Sequence, residues 1–152
     1  MNGAEFAVLR RMCGLSAIVA AQLFGVRLQT IAFWEDGCYP IDPPTATRLR
    51  HLNSNINHVA EYALSSRLTL KAMGVEEPDP PLILYRFKQD YAGCAMELNG
   101  IPFAAHQAAI GRTMMALETA GLIACVEWFT TEQQPLREPT PEPEEATQET
   151  RQ

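Results

Sequence analysis

GLSAIVAAQLFGVRLQTIAFWEDG, residues 14–37, is the stretch that decides the fold. It reads as two short helices joined by a tight turn. Leu15 and Ser16 open the first, and the Ser16 hydroxyl can accept a hydrogen bond from an orphan backbone N–H. Ala20, Ala21 and Phe24 fall on one face at helical spacing. Gly25 ends the helix, because glycine takes the left-handed conformation that other residues resist. Val26 fills the corner. Arg27 to Glu35 forms the second helix, with Ile31 and Trp34 facing inward, and Gly37 ends it. Two helices meeting at a glycine turn, with small residues where they cross, make a helix-turn-helix pattern. A generic αα-hairpin in an enzyme or scaffold is the competing reading.

The stretch resembles the Cro/C1 (XRE-like) class of helix-turn-helix proteins. That class has a small polar residue opening its second helix, an alanine within it and Gly-Val at the turn. Its recognition helix ends in an isoleucine and a Trp/Leu-Glu-x-Gly. Ser16, Ala21, Gly25-Val26, Ile31 and Trp34-Glu35-Asp36-Gly37 stand in those places without a gap. The resemblance implies a mainly α fold with a five-helix N-terminal domain. It also implies an ion pair between an arginine late in the first helix and the glutamate that ends the recognition helix. Arg10 and Glu35 occupy those positions, and such a pair would set geometry more than add stability. Two exposed charges are the bland alternative.

A recognition helix presents its N-terminal residues to base edges in the major groove. Opposite Ile31 and Trp34 lie Arg27, Leu28, Gln29, Thr30 and Phe33, and in the class such outward residues touch DNA. Gln29 can bond adenine through two hydrogen bonds, and Leu28 or Phe33 can pack on a thymine methyl. Arg27 suits a phosphate or guanine, and Thr30 and Ser16 suit phosphate. Ala17 departs from the class, where a glutamine often follows the cap and works at the DNA. Ala32 is likewise short, so the polar readout is reduced.

Before this stretch, Asn2 and Glu5 have the spacing of a capping box, which starts helix one at Gly3. Phe6, Leu9 and Cys13 form its buried stripe. After it, CYPIDPP is a loop, and Pro44 can begin the next helix. That helix runs to Met73, roughly 40–45 Å if unbroken. Leu49, Leu52, Ile56, Val59, Ala63 and Leu70 trace a heptad-like seam, with Ser66 its weak member. Asn53, Ser54, Asn55 and Asn57 are poor helix formers, so a kink or break there is an open alternative.

Residues 1–73 thus form the expected DNA-binding domain, and 74–81 a linker. Residues 82–129 read as a small α+β module: a strand within Leu82–Phe87, a helix Lys88–Leu98, a turn at Asn99-Gly100, a helix Pro102–Ala120 and a strand Leu122–Phe129. In the second helix Phe103, Ile110, Met114 and Leu117 share one side. This element order resembles a group of small two-domain regulators that includes autorepressors associated with phage anti-CRISPR genes, whose C-terminal module dimerises. Residues 130–152 carry six acidic and two basic residues among four prolines, the composition of a disordered, solvated tail.

Net charge is −6, which taken alone argues against a DNA binder. Its distribution matters more: residues 1–72 carry seven basic and five acidic residues, and 73–152 carry five and thirteen. The surplus near the hairpin is small, so salt-sensitive, specific contacts must supply affinity. Cys13, Cys38, Cys94 and Cys125 show no CxxC spacing and read as reduced, packed thiols of a cytoplasmic protein. No signal-like or membrane-spanning apolar run is present. His51 and His58 lie two helical turns apart, too far to share an ion, and His106 is remote. No metal site, cofactor or catalytic constellation is implied, and the reading is not that of an enzyme.

The expected function is a sequence-specific transcriptional regulator. Its expected partners are double-stranded DNA and a second copy of itself on an inverted repeat. One alternative is an antitoxin-type regulator that inhibits a partner protein through its C-terminal part. Another is a scaffold that has lost DNA binding.

Overall fold

The computed structural model describes residues 1–75 and 80–130. It is mainly helical. Seven α-helices among the described residues run α1 (Gly3–Met12), α2 (Ala17–Phe24), α3 (Leu28–Glu35), α4 (Pro43–Ala72), α5 (Lys88–Tyr91), α6 (Ala95–Leu98) and α7 (His106–Thr119). Two short strands, β1 (Leu82–Leu84) and β2 (Val126–Trp128), complete it. The linker expected at 74–81 and the tail expected at 130–152 fall, at residues 76–79 and 131–152, outside the described residues.

Local chemistry starts each helix. Asn2 and Glu5 close the reciprocal capping box on α1, with bonds of 2.8 and 2.9 Å. Asp42 caps α4 by accepting from the Thr45 N–H at 2.9 Å, and that bond holds its carboxyl below the ordinary range. Pro43 takes the first helical position, one residue before the expected Pro44.

α4 is one helix of 30 residues, so residues 1–73 hold four helices and not five. The asparagines do not break it; Asn53 and Asn57 instead accept hydrogen bonds from Arg112 of α7. Its buried stripe departs from the heptad seam. Leu49, Leu52, Ile56, Ala60 and Arg67 are buried, whereas Leu70 is exposed. A straight helix gains on a strict heptad by about 20° per repeat. Eighteen residues separate Leu49 from Arg67, about five full turns, so Arg67 returns to the face that Leu70 has rotated past. The buried Arg67 guanidinium donates to the carbonyls of Ile123 at 2.9 Å and Pro80 at 2.6 Å. It thereby pins both approaches to the sheet.

The core is continuous across the molecule. Phe6, Cys13, Leu15, Ala20, Ala21, Ile31, Trp34, Leu49, Leu52 and Ile56 share one buried cluster with Ile101, Ala105 and Ala109. Phe6 sits at its centre, edge-on to Trp34 with ring centroids 5.5 Å apart and 6.1 Å from Phe24. Removing such a buried ring costs about 3–5 kcal/mol.

The C-terminal part differs from expectation in detail. Residues 88–98 form two four-residue helices, because Gly93 takes a left-handed conformation between them. Residues 103–105 are a 3₁₀ turn before α7. The buried side of α7 carries His106, Ala109, Ile110, Thr113 and Leu117, with Phe103 and Met114 only half-buried. Its two polar members are satisfied internally. Thr113 donates to the Ala109 carbonyl. His106 Nδ1 lies 2.5 Å from the Phe103 carbonyl and Nε2 lies 3.3 Å from the Tyr85 N–H. A carbonyl can only accept and an amide N–H can only donate, so Nδ1 is placed as the donor and Nε2 as the acceptor. The strands pair in parallel, Leu82 with Val126 and Leu84 with Trp128. A parallel pair needs a long crossover, and α5 to α7 supply it.

Of the four free thiols, Cys13 is buried and Cys94 half-buried, but Cys38 and Cys125 are exposed, contrary to the expectation of packed thiols. Both sit in short loop segments that no helix covers. Burial pushes the Cys13 thiol up from 9.0 to about 11, against a smaller opposing pull from the Arg112 guanidinium. Cys38 and Cys125 should therefore alkylate rapidly at neutral pH while Cys13 stays protected until the protein unfolds, as peptide mass mapping would show. A thiol raised in the folded state stabilises it fully below its unfolded value and loses that contribution as pH climbs toward the folded one. Stability should then fall between pH 9.0 and about 11. Cys13→Ala should flatten part of that fall in urea unfolding. The remainder belongs to Tyr85 and Tyr91, which burial also raises.

Candidate nucleic-acid interface

The α2–α3 hairpin is built as its sequence dictates. Ser16 is the N-cap, its Oγ accepting from the Val19 N–H at 3.2 Å. Leu15 lies before the helix and is buried, so α2 begins at Ala17. Gly25 ends α2 with φ 70°, and the Val26 N–H closes the turn on the Ala21 carbonyl at 3.0 Å. Arg27 precedes α3 in extended conformation, so the helix starts at Leu28, one residue later than expected. Arg27 caps nothing with its side chain.

Ile31 and Trp34 face the core. Arg27, Leu28 and Gln29 are exposed at the opening of α3, with Thr30 half-buried beside them. Phe33 follows one turn after Gln29 and Thr30. It is half-buried and its ring meets Tyr39 edge-on at 5.0 Å. At the start of α2, Ser16 is exposed and Ala17 half-buried. Tyr39 was not singled out in the sequence, where it is one aromatic residue in a proline loop. Its exposed ring beside Phe33 extends the surface beyond α3.

The orientation of α3 is set from outside the hairpin. The Arg10 Nε donates to Glu35 Oε1 at 2.6 Å, and its Nη1 donates to the Leu15 carbonyl at 2.5 Å. One buried guanidinium thus joins α1, the residue entering α2 and the end of α3. The expected ion pair is present in the structure.

The electrostatics favour an anion. Neither α2 nor the first turn of α3 contains an acidic residue. The one carboxylate within α3, Glu35, is matched by Arg10. The Arg27 cation is outward at the opening of α3, and exposed Asp36 lies at the opposite end, so the positive charge and the helix N-termini fall together, away from the carboxylate. The alanine at position 17 leaves the opening of α2 without a polar side chain beyond Ser16. His51 and His58 are exposed on α4 and His106 is buried in α7. Among the described residues no three His, Cys, Asp or Glu side chains come together as metal ligands would. No single described helix is long and apolar enough to cross a membrane.

No protein-family model matches the chain, and no curated protein matches it.

Arg10→Ala would leave Glu35 and the Leu15 carbonyl unpartnered, and should lower unfolding free energy by about 3 kcal/mol. The double replacement Arg10→Met with Glu35→Leu should cost clearly less, because neither charge is then stranded. Chemical denaturation of the three proteins separates these outcomes.

Proposed function

We propose that the protein is a sequence-specific, DNA-binding transcriptional regulator of the Cro/C1 type. It acts as a homodimeric (auto)repressor on an inverted-repeat operator. The observation that carries this reading is the surface of α3. Arg27, Leu28 and Gln29 stand outward at the start of a short helix whose other side, through Ile31, Trp34 and the Arg10–Glu35 pair, is locked into the core. A rigid helix that offers a cation, an amide and an apolar side chain within one turn has the chemistry for reading base edges.

In this reading Gln29 takes an adenine, Leu28 and Phe33 contact thymine methyl groups, and Arg27 takes a guanine or phosphate. Thr30, Ser16 and the backbone beside Ala17 hold phosphates. The Phe33–Tyr39 contact favours Phe33 as an apolar wall presented edge-on, with Tyr39 able to reach the backbone.

A single helix of this size buries little surface on DNA, so a dimer on two half-sites is expected. Exposed apolar side chains away from α3 support it. Tyr62 of α4 and Met73, the residue at its C-terminal cap, lie about three turns apart on one side, and Met115 and Ile123 are also largely exposed. The same side chains would serve an antitoxin-type regulator that grips a different protein. Sedimentation of the protein alone distinguishes the two, since only the first gives a dimer without a partner.

Selection of bound DNA from a random pool is the direct test. It should return an inverted repeat with half-sites separated by about one helical turn. Gln29→Ala should cost about 1–3 kcal/mol at one base position and leave the others unchanged. Arg27→Ala, if phosphate is its target, should instead weaken all sequences alike and reduce the salt slope by about one. Absence of salt-dependent binding to any duplex would overturn the proposal.

A further inference from the structure

The α2–α3 hairpin and the C-terminal part are joined by more than the chain between them. Ile101, Ala105 and Ala109 enter the same core as Phe6, Leu15 and Leu49. Where α1 ends, the approach is close: a Cβ placed on Gly14 would lie 3.1 Å from the Ala108 Cβ. At this point the seam is glycine against alanine, while Ile101 carries a larger apolar side chain into the shared core.

Arg112 of α7 crosses the seam with directed bonds. Its Nη1 donates to the Oδ1 atoms of Asn53 at 2.9 Å and Asn57 at 2.6 Å. Its Nη2 donates to the Met12 carbonyl at 3.0 Å. Asn53 and Asn57 are one turn apart on the same face of α4. Met12 is the last residue of α1, where backbone carbonyls lack helical partners. A planar guanidinium bonded to two helices fixes an angle as well as a distance. The asparagines otherwise make little sense in the middle of a 30-residue helix, where they are poor formers.

We propose that Arg112 is the positioning residue that sets the angle between the α1–α4 bundle and the C-terminal part, and so restricts the dimer to one half-site spacing. The inference rests on the DNA-binding dimer argued above. Each base pair added between half-sites moves one by about 3.4 Å and turns it by about 34°. A bracketed dimer cannot follow that displacement. Without the bracket only non-directional apolar packing joins the two parts, and it tolerates small rotations that a bonded guanidinium forbids.

The test compares the unaltered protein, Arg112→Ala, Arg112→Lys and the double variant Asn53→Ala/Asn57→Ala. Each is titrated against the selected repeat, against repeats with one or two base pairs added or removed at the centre, and against a single half-site. The unaltered protein should lose most of its two-headed advantage on altered spacers, about 10²–10⁴-fold. All three variants should keep single-half-site affinity and lose less than about tenfold across spacers. Lysine retains the charge but not the fork, so its failure to rescue assigns the effect to geometry. The double variant guards against misfolding, because alanine strengthens α4 and leaves the Arg112–Met12 bond in place.

A second readout needs no DNA. Spin labels on the exposed Cys38, with Cys94 and Cys125 replaced by serine, report the distance between the two bundles of a dimer. The distribution should be narrow with Arg112 and broad in Arg112→Ala. The bracket is overturned by equal widths, by a monomer, or by variants that keep the steep spacer penalty or weaken all targets equally. If the unaltered protein binds no duplex yet the widths differ, the DNA reading fails and the bracket stands.

Discussion

A single guanidinium holds the N-terminal half in register. Arg10 lies at the end of α1, yet its two bonds reach Glu35 at the end of α3 and the Leu15 carbonyl where the chain enters α2. Three helices of eight to ten residues cannot be stable alone. They gain their stability from a shared apolar centre around Phe6, and a centre of that kind tolerates rotation. Arg10 removes the tolerance. Desolvating the arginine costs energy that the pair only partly returns, so its contribution is a defined orientation for α3 and not much added stability.

The rest of the molecule repeats this arrangement at larger scale. α4 is the common wall: its first half closes the core over α1, and its face continues along α7. Arginines again define the joints, one buried and one half-buried. Arg67 ties α4 to both approaches to the sheet, and Arg112 ties α7 to α4 and α1. Each uses the fork of the guanidinium to bond backbone carbonyls or amides where elements end or cross. The parallel β1–β2 pair is too short to be stable alone, and it is held by α7, by Arg67 and by the stacking of Tyr85 on Phe129.

Much of this was legible in the sequence, because it is local. The cap residues Asn2, Ser16 and Asp42, the glycine turn at Gly25 and the inward pair Ile31 and Trp34 each act within one or two helical turns. The outward positions Arg27, Leu28 and Gln29 follow from the same periodicity. The long seam of α4 is less legible. A heptad and a straight helix agree over two turns and diverge over five, so a heptad pattern points Leu70 inward where the helix buries Arg67. Residues 53–57 looked like a possible break because their partner lies 55 to 59 residues away in sequence.

By itself, then, the sequence determined where the helices begin and end, which side of α3 is buried, and the chemistry that its other side presents. Cap, turn and period are short-range constraints written in neighbouring residues. Only the tertiary structure decided that α4 runs unbroken, that the strands are parallel, that Cys38 and Cys125 are open, and that α7 completes the core of the N-terminal helices. Those outcomes depend on contacts between residues far apart in the chain. Their geometry is set by directed bonds from Arg10, Arg67 and Arg112, and no local pattern announces which acceptor a long, flexible cation will find.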